Sequence, residues 1–178
     1  MNEFSVVGKP VLKVDSLSLA CGSAFFTADF GVKDPLYIAF FYSPHAHAEI
    51  KAIDDSSALA MKGVVDVFHS GNTSSGLFTT AGQGYPEPSP YDTRLFNKTV
   101  RYAGDIVGAV LAESEKTARA AARAVAVEYT LLPPLFDPEK AMEGDAPRIH
   151  DGDEYAPLPV AYRPEQNIAG EVLFSFGN

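Results

Sequence analysis

The chain has 178 residues, 46% of them hydrophobic, and a formal net charge of −9 at neutral pH. That length suits one domain or one domain plus a tail, and it buries roughly 70% of the unfolded surface without a disulfide or metal staple. The negative balance excludes a nucleic-acid groove or an anionic membrane surface, and no apolar run approaches the roughly 18 residues a membrane span needs. The start shows no basic region followed by a long apolar run, so no secretory leader is expected. The single Cys21 rules out an internal disulfide and any CxxC metal motif. Without a secretory route the triplets Asn72-Thr73-Ser74 and Asn97-Lys98-Thr99 carry no glycosylation meaning. The expectation is a soluble, cytoplasmic globular chain.

The first 35 residues alternate loosely, with Val11, Val14 and Leu17 as inward candidates and a turn over 29–35. Residues 36–42 form the strongest strand, and their aromatic and branched content predicts burial on both faces. A half-buried strand follows over 49–54. Asp54 or Asp55 then caps a short helix through Ala58 to Met61, Gly63 ends it in a left-handed conformation, and 64–69 make another strand.

Residues 71–93 change character. Gly71, Gly76, Gly82, Gly84, Pro86, Pro88 and Pro90 break any period, and a structureless stretch of this length is functional, disordered or packed against something else. Order returns with a buried strand at 106–112. Ser114 caps a helix to about Ala124, whose Ala118, Ala121, Ala122 and Val125 form a narrow stripe, and the next strand runs over 124–131. Strand, helix and strand in that order predict a βαβ unit with parallel strands. The segment around Leu59 looks like a smaller echo of it. Asp137 caps one more helical turn over 138–144, and from Asp145 onward the chain reads as an acidic, proline-broken tail. Residues 71–93 and 164–178 are expected to be the least ordered.

Several residues invite a chemical reading. His45, His47 and Glu49 share a face if they lie on a strand, but they fill only part of a metal site, so the simpler reading is a polar strand entrance. Gly82-Gln83-Gly84 lacks the third glycine and the following helix of a phosphate cradle. Asp151-Gly152-Asp153-Glu154 lacks the spaced ligands of a calcium loop and reads as a solvated acidic turn. Cys21 has no base nearby in sequence and reads as buried and inert. Lys116, Arg119 and Arg123 read as the wet side of a helix. No catalytic, cofactor-binding or metal-ligating residue is assigned.

Val7-Gly8-Lys9-Pro10, Val14-Asp15 and Thr27-Ala28-Asp29-Phe30 resemble the opening of the large, molybdenum-binding subunit of xanthine dehydrogenases and aldehyde oxidases. Ser43-Pro44-His45-Ala46-His47-Ala48-Glu49-Ile50, Ile53-Asp54 and Gly63-Val64-Val65-Asp66-Val67 are similar to that family's next block. Residues 100–108 and 127–133 continue it in order, so the resemblance covers about residues 6–142. It implies an α+β fold, the α/β-hammerhead, with a mixed sheet, a βαβ unit and two to three short helices over residues 1–145. Residues 146–178 then form a linker and the start of the following molybdenum-binding domain, which 167–178 resemble. Leu19-Ala20-Cys21-Gly22-Ser23 departs from the pattern, since basic residues around the glycine are usual there.

The resemblance also implies an oxidoreductase that hydroxylates aldehydes or N-heterocycles at a molybdenum–pterin centre, where a glutamate activates a metal-bound hydroxide and a sulfido ligand accepts hydride. FAD and [2Fe-2S] are implied in partner domains or subunits. Those residues belong to later domains, so this chain is expected to hold no cofactor, to be inactive alone and to act as scaffold and interface. Its partners are then the remaining large-subunit domains and the flavin and iron–sulfur subunits, and self-association is expected of the isolated chain. The alternative is a stand-alone hammerhead module binding a ligand or protein through loop 71–93.

Overall fold

The computed structural model describes residues 4–82, 84, 88–150 and 152–177. The chain divides into two compact units, Met1–Pro35 and Leu36–Asn178. The first contains helix α1 (Ser16–Ala20) and a 3-10 turn, Thr27–Asp29. Phe26 N–H donates to Asp29 Oδ2 at 2.8 Å, and the Phe25 and Phe30 rings meet edge to face at 5.4 Å. Val11, Val14 and Leu17 do not turn inward; all three are exposed. A five-residue helix with no buried residue offers no face for them to pack on.

The second unit holds two three-stranded sheets. In the first, β5 (Ile106–Ala112) lies between β1 (Tyr37–Tyr42) and β3 (Val64–His69). In the second, β2 (Ala48–Asp54) lies between β4 (Thr99–Val100) and β6 (Ala126–Leu131). Every pairing is antiparallel. The α+β class stands, but the expected parallel βαβ unit and mixed sheet do not form. Both edges of β5 are already taken by β1 and β3, so the strand after the helix joins the other sheet, where Tyr129 pairs with Ile50 and Val127 with Ile53.

The echo around Leu59 follows the same rule. Central strand β2 leads through helix α2 (Ser56–Leu59) to edge strand β3, and central strand β5 leads through helix α3 (Glu115–Ala122) to edge strand β6. Each helix carries the chain from the middle of one sheet to the edge of the other. Asp54 Oδ1 accepts the Ser56 N–H at 3.0 Å at the start of α2, and Gly63 follows at φ +87°. Ser114 caps α3 by accepting the Thr117 N–H at 3.1 Å. Ala118, Ala121 and Ala122 form its buried stripe, which lets the helix lie close against β1 and β5.

Val67, Val100, Val107 and Val110 are the largest fully buried side chains, and Phe41, Ala48, Ala58, Ala121 and Ala122 complete the core. Central strand β5 is buried along nearly its whole length. By contrast β1 is not buried on both faces. Phe41 is buried and Ala39 half-buried, while Ile38, Phe40 and Tyr42 remain exposed, because an edge strand of an antiparallel sheet can leave one face uncovered.

The described part of 71–93 is held by backbone pairing at Phe78, Tyr91 and Thr93. Phe78 and Thr93 exchange backbone hydrogen bonds of 2.8 and 3.1 Å, and Tyr91 does the same with Tyr155. Helix α4 (Pro138–Ala141) starts as its sequence demands, with Asp137 Oδ1 accepting the Glu139 and Lys140 N–H groups.

Candidate functional site

The sequence candidates do not converge. His45 precedes β2 and packs edge-on against Tyr129 at 4.9 Å. His47 is buried, and its Nδ1 lies 2.8 Å from the Pro133 carbonyl. A carbonyl only accepts, so that nitrogen carries the hydrogen and donates. Glu49 sits in β2, exposed to solvent. Among the described residues no three His, Cys, Asp or Glu side chains gather as metal ligands. Gln83 of the Gly82–Gly84 cradle lies outside the described residues, as does Asp151 of the acidic turn. Cys21 is exposed rather than buried, because the short helix it ends has no packed face. Arg119 pairs with Glu115 one turn back on the exposed side of α3.

The acidic turn holds the main surprise. Gly152 and Asp153 are solvated as expected, but the Glu154 side chain is only 7% exposed. Glu154 Oε1 accepts from Arg101 Nη2 at 3.0 Å, and Oε2 accepts the Gly152 N–H at 2.7 Å. Arg101 Nε donates to the Ile149 carbonyl at 2.9 Å. The loop after β4 holds Arg101 in place. Buried Asp105 accepts the Arg101 backbone N–H at 3.0 Å, and the turn between them closes through Gly104 at φ +95°. Next door, Arg94 pairs with Asp153 and donates to the Ser75 carbonyl at 2.8 Å.

Two further side chains complete this cluster. His150 Nδ1 stands 3.5 Å from Glu154 Oε1, out of line for a hydrogen bond. Burial, and then the nearby Arg101 charge, hold the His150 imidazole below its ordinary pKa, against the opposing pull of Asp92 and Glu154. Burial, with Glu154 and Asp92 adding to it, raises the Tyr162 phenol. Both groups are therefore uncharged near neutrality.

Asn167 draws the flanking segments together. From a left-handed conformation at φ +54° its Oδ1 accepts the Ile149 N–H at 2.9 Å, while Nδ2 donates to the Ala141 and Pro147 carbonyls at 2.8 and 3.1 Å. Three hollows adjoin these residues. One of about 630 Å³ is bounded by Ser70, Ser74, Ser75, Arg94 and Arg101, and one of about 400 Å³ by His47, Arg101 and Arg148. The third, of about 240 Å³, is mostly apolar.

Chemically the cluster is a clamp. Arg101 Nε and Nη2 and both Glu154 oxygens are committed to protein partners, which ties the loop after β4 to residues 149–154. Sequence reading missed the clamp because its members are far apart in the chain. The only local signal was an arginine and an aspartate flanking a glycine turn at 101–105.

Comparison with known proteins gives a consistent picture. The family model for the aldehyde oxidase and xanthine dehydrogenase a/b hammerhead domain matches residues 21–133. A probable hypoxanthine oxidase of Escherichia coli is 40% identical over 150 residues, which are 84% of this chain and 16% of that protein. The nicotinate dehydrogenase large molybdopterin subunit of Eubacterium barkeri is 35% identical over 174 residues, 90% of this chain and 38% of that one. Among solved structures, the aldehyde oxidoreductase of Desulfovibrio desulfuricans superposes with a TM-score of 0.69 at 29% identity, covering 80% of this chain and 16% of that one. The CO dehydrogenase of Oligotropha carboxidovorans gives 0.68 at 30% identity, covering 79% and 17%. The chain thus spans about a sixth of the length of three of these four relatives.

Proposed function

The chain belongs to the aldehyde oxidase and xanthine dehydrogenase hammerhead family, and on that premise we propose that it is the non-catalytic scaffold and interface domain of a molybdenum hydroxylase large subunit. Its partners are the remaining domains of that subunit, together with flavin and iron–sulfur domains or subunits. They carry the molybdenum–pterin, FAD and [2Fe-2S] groups and the chemistry of hydroxylation. In this reading the hammerhead ends near residue 145, residues 146–178 lead into the molybdenum domain, and the assembly is cytoplasmic. Among the described residues no helix is long and apolar enough to cross a membrane.

The observation that carries this reading is apolar surface left bare. Val172, Leu173, Phe174 and Phe176 are 74–92% exposed, and Ile38, Phe40 and Tyr42 face outward on β1. Each such side chain is worth roughly 1.5–3 kcal/mol when fully buried, so surface of this kind marks an interface. The test is to co-express the chain with a large subunit of this family lacking its hammerhead. A stoichiometric complex with hydroxylase turnover, and neither turnover nor molybdenum in the chain alone, is the expected result. Stoichiometric molybdenum or turnover in the isolated chain overturns it.

The alternative, a stand-alone binding module, is favoured by the hollow of about 630 Å³ that loop residues Ser74 and Ser75 help to wall. Failure of the complex to form, with the chain folded and monomeric, selects that reading.

A further inference from the structure

Two buried side-chain atoms among the described residues have no hydrogen-bond partner, His150 Nδ1 and Tyr162 Oη. Both residues line the same hollow of about 240 Å³, whose other walls include Leu135, Ile149, Pro164 and Ile168. A buried polar group without a partner is costly, and the Tyr162 hydroxyl on an open-sided, mostly apolar concavity matches the general build of a small-molecule site, apolar walls with a few placed polar groups.

We propose that this hollow is a binding site for a small, uncharged, planar ring bearing a hydrogen-bond acceptor. The ring lies against Leu135, Ile149 and Ile168, and the acceptor faces the Tyr162 hydroxyl.

Size, donor set and charge each narrow the ligand. An apolar cavity of about 150 Å³ accommodates benzene, so about 240 Å³ takes one ring with a substituent. His150 Nδ1 lies 3.5 Å from the Glu154 carboxylate, so its hydrogen is directed there and the Tyr162 hydroxyl is the unpartnered group left to the ligand. The Tyr162 hydroxyl has no partner of its own and its O–H is available to an acceptor on the ligand. Asp92 and Glu154 act on both groups and oppose an anion, while Arg101 opposes a cation. The environment also keeps His150 and Tyr162 uncharged, which suits a neutral ligand. Asn167 shapes one wall but has no hydrogen to spare, since both of its amide hydrogens go to backbone carbonyls.

The probe is benzamide, one ring with one carbonyl acceptor, titrated into the purified chain and followed by ligand-observed NMR and calorimetry. Saturable binding at millimolar concentration or below is expected, with benzoate failing to bind and toluene binding more weakly. Tyr162→Phe removes one donor with little change of shape and should weaken benzamide about tenfold, the effect of one good hydrogen bond. Ala141→Leu fills the hollow from the end of α4 and should abolish binding, with thermal unfolding checking that each variant is folded. No saturable binding of benzamide at tens of millimolar, benzoate binding as well as benzamide, or an unchanged affinity in Tyr162→Phe each overturns the proposal.

Discussion

Arg101 and Glu154 are 53 residues apart in sequence, yet Nη2 donates to Oε1 over 3.0 Å with their side chains only 16% and 7% exposed. The pair joins the end of β4 to the segment that follows α4. Removing one partner of a withdrawn ion pair strands the other charge, which costs about 3–5 kcal/mol. Arg101→Met should therefore destabilise the chain by about that amount in urea unfolding. Arg101→Met with Glu154→Leu should recover much of the loss, because an apolar pair of similar volume leaves no stranded charge. A double variant no better than the single one would show that Arg101 acts through its bond to the Ile149 carbonyl instead.

Gly108 is the second pressure point. A Cβ there would run into the Phe41 ring and the Phe68 carbonyl oxygen. Phe41 is directly across from Gly108 in the β1–β5 register, so the missing side chain is what lets the ring lie over the central strand. Gly108→Ala should cost about 1–3 kcal/mol by overpacking. Gly108→Ala combined with Phe41→Leu should regain part of it. The control is Gly76→Ala, where a Cβ meets nothing within 4 Å and stability should be nearly unchanged.

The pattern of legibility follows from how far apart the partners lie. Strands β3 and β5 were readable to the residue because their apolar runs end at Gly63 and His69, or begin after the Gly104 turn. The alanine stripe and serine cap of α3 were equally local. Which sheet a strand joins is not local. Whether the edges of β5 are open depends on β1 and β3, and nothing between residues 106 and 131 records that. The burial of β1 failed for the same reason: its composition is apolar on both faces, but only one face is covered. The clamp depends on Arg101 meeting Ile149 and Glu154, and Asn167 meeting Ala141, Pro147 and Ile149, contacts that carry no motif.

Asn167 offers a test of that hub. Its left-handed backbone suits glycine and asparagine, and its side chain makes three backbone hydrogen bonds. Asn167→Gly keeps the backbone and loses the bonds, whereas Asn167→Ala loses both. Alanine should be the worse by about 1 kcal/mol, the cost of placing a Cβ in that region. In both variants the Ile149 amide should exchange with solvent faster than in the parent, because its acceptor is gone. Equal stability of the two variants would mean that the conformation at 167 relaxes away once the side chain is removed.

His150 gives the chain a pH dependence whose sign is fixed by its surroundings. Burial and Arg101 hold its folded pKa below the ordinary 6.5, with Asp92 and Glu154 only partly offsetting them. Between the folded and unfolded values the unfolded chain binds more protons, so stability rises with pH across that window. Acidification from above 6.5 should therefore weaken the fold progressively until the folded pKa is passed, after which this contribution is constant. Asp54 and Asp153, both held below their ordinary 3.8, add a separate loss only at lower pH. The chain has four histidines, so the measurement is a difference. Urea unfolding of the parent and of His150→Gln is compared from pH 5 to 8. The stability of the parent relative to the variant should fall as the pH drops, while a difference independent of pH would show that His150 is not held uncharged by its neighbours.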